Sequence, residues 1–416
     1  MRIRTSGMAA ATLAALLAVS ACGGSDQPAT KDSAEPPSGK LVIWADDKRA
    51  EVLKPFAEKF GKDNGVTVEV QAISKDQQIT FVTASQQGNG PDVMVGAHDW
   101  IGNLVQNGAI DPVQLTDAQK AAFPEVALKA VTFNGQIYGL PYAMENLALI
   151  RNTELAPTAP ATVEEIVAAG KKLKAEGKAS EIMCLQVGQN GDAYHIYPLF
   201  TSAGGYLFGT AANGDYDPKD LGVGKPESIA AFKKIAALGE KGEGALKRSI
   251  AGENSIATFT GKKCAFLISG PWAITDVKKA GIKYDITPIP GFAGGKPAQP
   301  FVGVQAFYVA AKGKNKALAQ EFVVNYLTDP ELAVALYEAE PRPPALTAAL
   351  DRVKGSDPDL AKFQEAGKNG AVLPAIPEMA AIWDPFGKAE AAIVGGADVE
   401  QTLTAAAKTI ADQINK

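Results

Sequence analysis

From Lys40 onward, apolar runs of strand length keep returning after stretches with helical spacing, and few folds accommodate that order. Leu41-Val42-Ile43-Trp44 reads as a short strand. Arg49 to Gly61 places Val52, Leu53, Phe56 and Phe60 on one helical face, Asn64-Gly65 is a stop, and Val66 to Val70 alternates as a second strand. A helix from about Asp76 to Gln87 then leads through Gly88-Asn89-Gly90 into Val93-Met94-Val95. This βαβ opening predicts an α/β fold built on a mostly parallel sheet with helices on both faces. Further strands are expected over Asn146 to Ile150, Glu181 to Leu185, Cys264 to Ile268 and Gln305 to Ala310. Helices are expected over Thr162 to Glu176, Glu227 to Leu238, Asn315 to Leu327 and Val399 to Ile414. No fixed-period repeat is visible, which argues against solenoids and propellers. Ligands of open α/β sheets bind beyond the carboxyl ends of strands, so the segments after Trp44, Val95 and Ile268 are the places to look for a site.

The first forty residues carry a different message. Arg2 and Arg4 form a positive start, and Met8 to Val19 is an apolar run too short to span a bilayer. Residues 1–21 therefore read as a signal peptide. Val19-Ser20-Ala21-Cys22 resembles the lipobox of bacterial lipoproteins, in which the cysteine thiol carries the lipid that holds a protein to a membrane. An ordinary secretory signal with an incidental cysteine is the alternative. Residues 22–39, rich in Gly, Ser and Pro, form a flexible tether without core-forming side chains. The expected location is the extracellular face of the cell membrane.

Charge and cysteine usage narrow the partners. Loss of Arg2 and Arg4 with the signal takes the formal charge of −5 for the whole chain to −7, and no basic stripe exists to displace counterions from a nucleic acid. With Cys22 assigned to lipid, Cys184 and Cys264 remain, either bonded to each other or packed as buried free thiols. The two histidines, His98 and His195, sit in no cluster with metal-ligand spacing, so neither a metal nor a cofactor is expected.

Polar and aromatic residues gather where a cleft would lie. Asp46-Asp47-Lys48 follows the first strand, and Ala97-His98-Asp99-Trp100 follows Val95. Carboxylates accept from neighbouring hydroxyls, a lysine donates to them, and an indole offers a flat apolar face; together they match a pyranose. Trp272 in Gly270-Pro271-Trp272, Trp383 in Ile382-Trp383-Asp384-Pro385, and Tyr194 after Asn190-Gly191-Asp192 stand beside turn formers rather than mid-element. Solvated loop charges and core aromatics are the competing reading.

Leu41-Val42-Ile43-Trp44, Gly90-Pro91-Asp92, Ala97-His98-Asp99, Tyr138-Gly139-Leu140-Pro141-Tyr142, Ala203-Gly204-Gly205-Tyr206, Gly270-Pro271-Trp272, Pro300-Phe301-Val302-Gly303-Val304 and Ile376-Pro377-Glu378-Met379 follow one another as in maltose/maltodextrin-binding proteins, which this chain resembles over nearly all of 40–416. The resemblance implies a two-lobed periplasmic-binding-protein-like fold of type II, with two α/β domains joined by a hinge. It divides the chain into a first lobe of 40–143 plus 305–326, a second of 148–300 plus 330–416, and hinge crossings at 144–147, 301–304 and 327–329. Hydroxyl contacts would fall on Asp47, Lys48, Asp99, Glu145 and Asp192, and stacking on Tyr194, Trp272 and Trp383. The chain departs from the family pattern where a stacking tryptophan becomes Gly96, an arginine becomes Trp100, an acidic contact becomes Gln78, and a late Tyr and Arg become Asp384 and Gly387. Trp100 thus offers its aromatic face four positions later. The implied protein is a monomeric lipoprotein, of the Gram-positive type, that binds maltodextrins and delivers them to an ABC transporter permease. Another oligosaccharide, such as a cyclodextrin, a galactose-containing chain or a modified maltodextrin, is the alternative. Asp99, Glu145 and Asp192 could in principle form a glycosidase pair, but no other catalytic motif accompanies them, and a binder rather than an enzyme is expected.

Overall fold

The computed structural model describes residues 39–211 and 215–415. The segments expected from sequence to be a signal peptide and a tether, with Cys22, lie outside the described residues. Two sheets organise the rest.

In the first sheet, Lys40–Ala45 runs parallel to Thr67–Ala72 and to Val93–Ala97, as the βαβ opening requires. The long strand Phe301–Ala310 joins this trio antiparallel, between Val93–Ala97 and Gly139–Asn146. The sheet is therefore mixed where a mostly parallel one is expected. The cause is connectivity: the chain leaves along Gly139–Asn146, builds the second sheet, and returns along Phe301–Ala310 from the opposite direction. In the second sheet Ala148–Asn152 is antiparallel to both Tyr284–Thr287 and Phe266–Ser269, and the latter is parallel to Cys184–Leu185. Only Leu147 separates the departing strand from the first strand of the second sheet. The segments 144–147 and 301–304 thus lie side by side, with Gly303 opposite Glu145.

Each sheet has its own core. Leu53, Ala57 and Phe60 of helix Asp47–Asn64 pack with Leu41, Val95 and Phe307 in the first. Phe200, Phe232 and Phe386 meet at centroid distances of 5.1–5.4 Å in the second. Residues 330–349 pack with the first core. Leu332, Ala333 and Leu336, on one stripe of helix Pro330–Ala339, together with Ala345, Leu346 and Ala349, belong to the first core, whereas Leu373 to Ile410 belong to the second. That stripe packs on helix Asp47–Asn64. Cys184, in the second sheet, and Cys264, just before strand Phe266–Ser269, are joined by a disulfide, both fully buried, with Cα atoms 6.1 Å apart. Among the described residues, no helix is long and apolar enough to cross a membrane.

Candidate functional site

A cleft of about 540 Å³ is lined by elements of both sheets. The first side supplies Lys48, Gln78, His98, Asp99, Trp100, Glu145, Glu340 and Arg342; the second supplies Tyr194, Trp272, Asp276 and Trp383. Seven of the nine ligand positions expected from sequence therefore share one cavity: Lys48, Asp99, Trp100, Glu145, Tyr194, Trp272 and Trp383.

The local fold explains the aromatic placements. A Cβ on Gly96 would come within 2.3 Å of the Trp100 ring, and one on Gly270 within 2.1 Å of the Trp272 ring. Each indole folds back over the strand end that precedes it, and only a glycine leaves room. Gly96 and Trp100 are thus one arrangement, the glycine making room for the indole four residues on. Tyr194 stands at the start of helix Ala193–Ser202, 6.4 Å from Trp272 and 6.1 Å from Phe301 between ring centroids. Its hydroxyl is buried and has no hydrogen-bond partner among the described residues. Buried polar groups are rarely left so, and a site that takes a hydroxylated ligand is one physical reason.

The charged groups form a connected set. Glu145, near the end of Gly139–Asn146, accepts from Gln305 Nε2 at 2.9 Å and from Arg342 Nε. Burial alone would push its pKa up, but the Arg342 charge and the Gln305 hydrogen bond outweigh burial and hold it below the usual glutamate value. Arg342 also donates to Glu340, which in turn accepts from Lys48 Nζ at 3.1 Å. Asp99 is buried at the opposite end of this balance. Loss of water raises its pKa to about 7, with the Glu145 charge adding to the rise and a hydrogen bond from the Trp383 side chain opposing it. Beside it, His98 is fully buried: its Nδ1 accepts from Val304 N at 3.0 Å and its Nε2 donates to Leu373 O at 2.9 Å. Burial lowers its pKa to about 4, so the ring is neutral and structural.

Two expected contacts are placed elsewhere. Asp47 lies in the first turn of its helix and bonds Ser74, its Oδ2 accepting from Ser74 Oγ at 2.5 Å and its N–H donating to the same oxygen at 3.0 Å. Asp192 caps helix Ala193–Ser202, accepting from Tyr194 N at 3.1 Å and His195 N at 2.9 Å. It also accepts from Gln186, and its own N–H donates to the buried Glu390 at 2.6 Å. Asp192 faces a separate polar cavity near Asn190, Arg248 and Asn254. Both carboxylates are claimed by helix N-termini or neighbours, which a turn-side aspartate does as readily as bind a ligand. Conversely, Glu340 and Arg342 were not singled out by sequence reasoning. The signal available was Glu340-Pro341-Arg342-Pro343-Pro344, in which prolines hold an arginine in extended chain. Among the described residues no group of three or more His, Cys, Asp or Glu is placed to hold a metal ion.

Two α/β units flanking a cleft with stacking rings on one side and hydrogen-bonding charges on the other define a two-lobed binding protein for a small polar solute. The chain belongs to the family described as bacterial extracellular solute-binding protein, which it matches over residues 56–404. It is 30% identical over 414 residues to a galactooligosaccharide-binding protein of Bacillus subtilis (strain 168), covering 96% of this chain and 94% of that one. It is also 30% identical over 393 residues to a maltooligosaccharide ABC transporter solute-binding lipoprotein of Streptococcus pneumoniae (strain ATCC BAA-255 / R6), covering 92% and 90%. A maltodextrin-binding protein of B. subtilis (strain 168) is 28% identical over 380 residues, covering 88% and 87%.

Proposed function

We propose that this protein captures a maltodextrin-type oligosaccharide in the cleft, closes its lobes around it, and delivers it to the membrane permease of an ABC transporter from the outer face of the cell membrane, held there by lipid on Cys22. The observation that carries the reading is the division of the cleft. Tyr194, Trp272 and Trp383 offer ring faces on one side, while Lys48, Asp99 and Glu145 offer donors and acceptors on the other. A sugar chain has the same division, with apolar C–H faces and polar hydroxyl edges. A ligand touching both sides favours the closed state by its differential affinity. The paired segments 144–147 and 301–304 are the proposed bending point, with the third crossing after Ala349.

The relative named for galactooligosaccharides supports a second reading, in which the chain takes another oligosaccharide through the Gly96 and Trp100 arrangement. One experiment separates the two. The soluble fragment from Ser25 onward is titrated calorimetrically with glucose, maltose, maltotriose, maltotetraose, a cyclodextrin and a β-galactan oligosaccharide. Affinity that rises with linear α-glucan length supports the first reading; heat with the galactan alone supports the second; no heat with any of them from folded protein removes both. Incubation with the bound sugar is expected to release no new reducing ends, as a binder rather than a hydrolase requires.

A further inference from the structure

Arg342 reaches across the cleft. Its Cζ lies 5.3 Å from the Trp272 ring centroid, so a residue packed with the first sheet touches the aromatic platform of the second. Its position is fixed from both ends. Met144 N donates to Pro343 O at 2.8 Å and Ala345 N to Tyr142 O at 2.9 Å, pairing 343–345 with strand Gly139–Asn146. The guanidinium itself is held by Glu145 and Glu340, and its side chain is 13% exposed. Pulling it away would leave Glu145 with the Gln305 hydrogen bond and Glu340 with Lys48, removing the guanidinium that bridges the two carboxylates. A ring stacking on Trp272 therefore meets the guanidinium in place.

We propose that Arg342 is the ligand-reading donor of the Trp272 subsite: its remaining N–H groups bind hydroxyls of the stacked sugar ring, and the carboxylates that already balance its charge make the subsite select neutral sugars over uronates. A guanidinium carries five N–H donors, and Glu145 and Glu340 take two of them. Those left lie in one plane, in a fork suited to adjacent oxygens. The charge around it points the same way. Glu145, Glu340, Asp99 and Asp276 line the cleft against Lys48 and Arg342, and Lys48 is itself engaged with Glu340. A ligand carboxylate would enter beside an arginine whose charge is already met, and would face the remaining acids.

This inference rests on the oligosaccharide reading, and its test keeps the two apart. Wild type and the variants Arg342→Gln, Arg342→Lys and Glu340→Gln are titrated with neutral maltodextrins and with the same maltodextrins oxidised at C6 to uronates. Wild type is expected to bind the neutral chain at least about tenfold more tightly. Arg342→Gln should lose roughly tenfold or more for the neutral chain, and Arg342→Lys should recover little, because an ammonium offers no fork. Glu340→Gln, which frees charge on the guanidinium, should shrink the preference against the uronate by about tenfold. Neutral binding unchanged in Arg342→Gln, or a preference unchanged in Glu340→Gln, overturns the inference while leaving the sugar reading standing. Wild type that is folded yet binds neither series overturns both. If Arg342→Gln does not fold, the Lys and Glu340 variants decide.

Discussion

The two walls of the cleft solve opposite problems. The first wall carries five of the charged residues that line it, Lys48, Asp99, Glu145, Glu340 and Arg342, against the single Asp276 of the second; the second wall carries three aromatic side chains against the Trp100 of the first. A polar wall holds its groups in place with ion pairs and buried hydrogen bonds, so its residues are bound up with fold stability and with pH. The aromatic wall is held by packing on glycines and on the core behind it, so substitutions there are expected to change ligand affinity with little effect on folding. Substitutions on the two walls should therefore register in different measurements.

The largest expected effect is on the polar wall. Asp99 has its pKa raised from the ordinary 3.8 to about 7, so the folded state holds a proton that the unfolded state gives up. Stability should fall as pH climbs from about 4 to 7, by about 4 kcal/mol in all. His98, lowered from 6.5 to about 4, acts in reverse: the unfolded state gains the proton, so stability should fall by about 3 kcal/mol as pH drops from 6.5 to 4. The two slopes oppose each other over most of that range. Asp99→Asn should therefore expose the histidine slope, with denaturant-derived stability rising from pH 4 to 6.5 where wild type is nearly flat. Equal pH profiles for the two proteins would mean that Asp99 ionises normally in the cleft.

The scaffold behind the aromatic wall gives the next effect. Cys264 stands two residues before strand Phe266–Ser269, which leads into Trp272, and its bridge to Cys184 closes a sequence separation of 80. Disulfides typically stabilise by about 2–4 kcal/mol. Melting of wild type should shift down by several degrees in reductant, and Cys184→Ser should melt at the lower temperature with or without it. A reductant shift that persists in Cys184→Ser would contradict this account of the bridge. Trp272→Ala comes third, costing about 3 kcal/mol of binding, or roughly a hundredfold in Kd, with little change in melting. If that variant instead lost stability and kept its affinity, the contrast between the walls would be wrong.

What could be read in advance divides along the same line. The strands, the helix stops and the aromatic positions are local signals: Gly270-Pro271-Trp272 states on its own that an indole sits at a turn after a strand. The polar wall is written across the chain. Glu145 and Arg342 are 197 residues apart and Lys48 and Glu340 are 292 apart, so no window contains either pair. The same limit applies to residues 330–349. The stripe of Leu332, Ala333 and Leu336 declares a buried helix face without saying which of two cores buries it. The mixed sheet was likewise hidden, since strand direction depends on where the intervening lobe releases the chain.

The smallest effect tests the hardest distinction, between a carboxylate that touches ligand and one that holds the residue that does. Asp192 caps helix Ala193–Ser202, and Tyr194, whose ring lines the cleft, is the second residue of that helix. Asparagine caps about as well as aspartate, whereas alanine costs about 1 kcal/mol. Asp192→Asn should thus keep its melting temperature and bind sugar within about threefold of wild type, while Asp192→Ala should melt lower and lose affinity only as far as Tyr194 moves. The reverse pattern, with Asp192→Asn stable but without sugar affinity, would put the carboxylate in contact with the ligand in the closed protein. Asp192 would then join Trp272 on the wall that governs affinity, and the boundary between the two walls would have to be redrawn through the first turn of that helix.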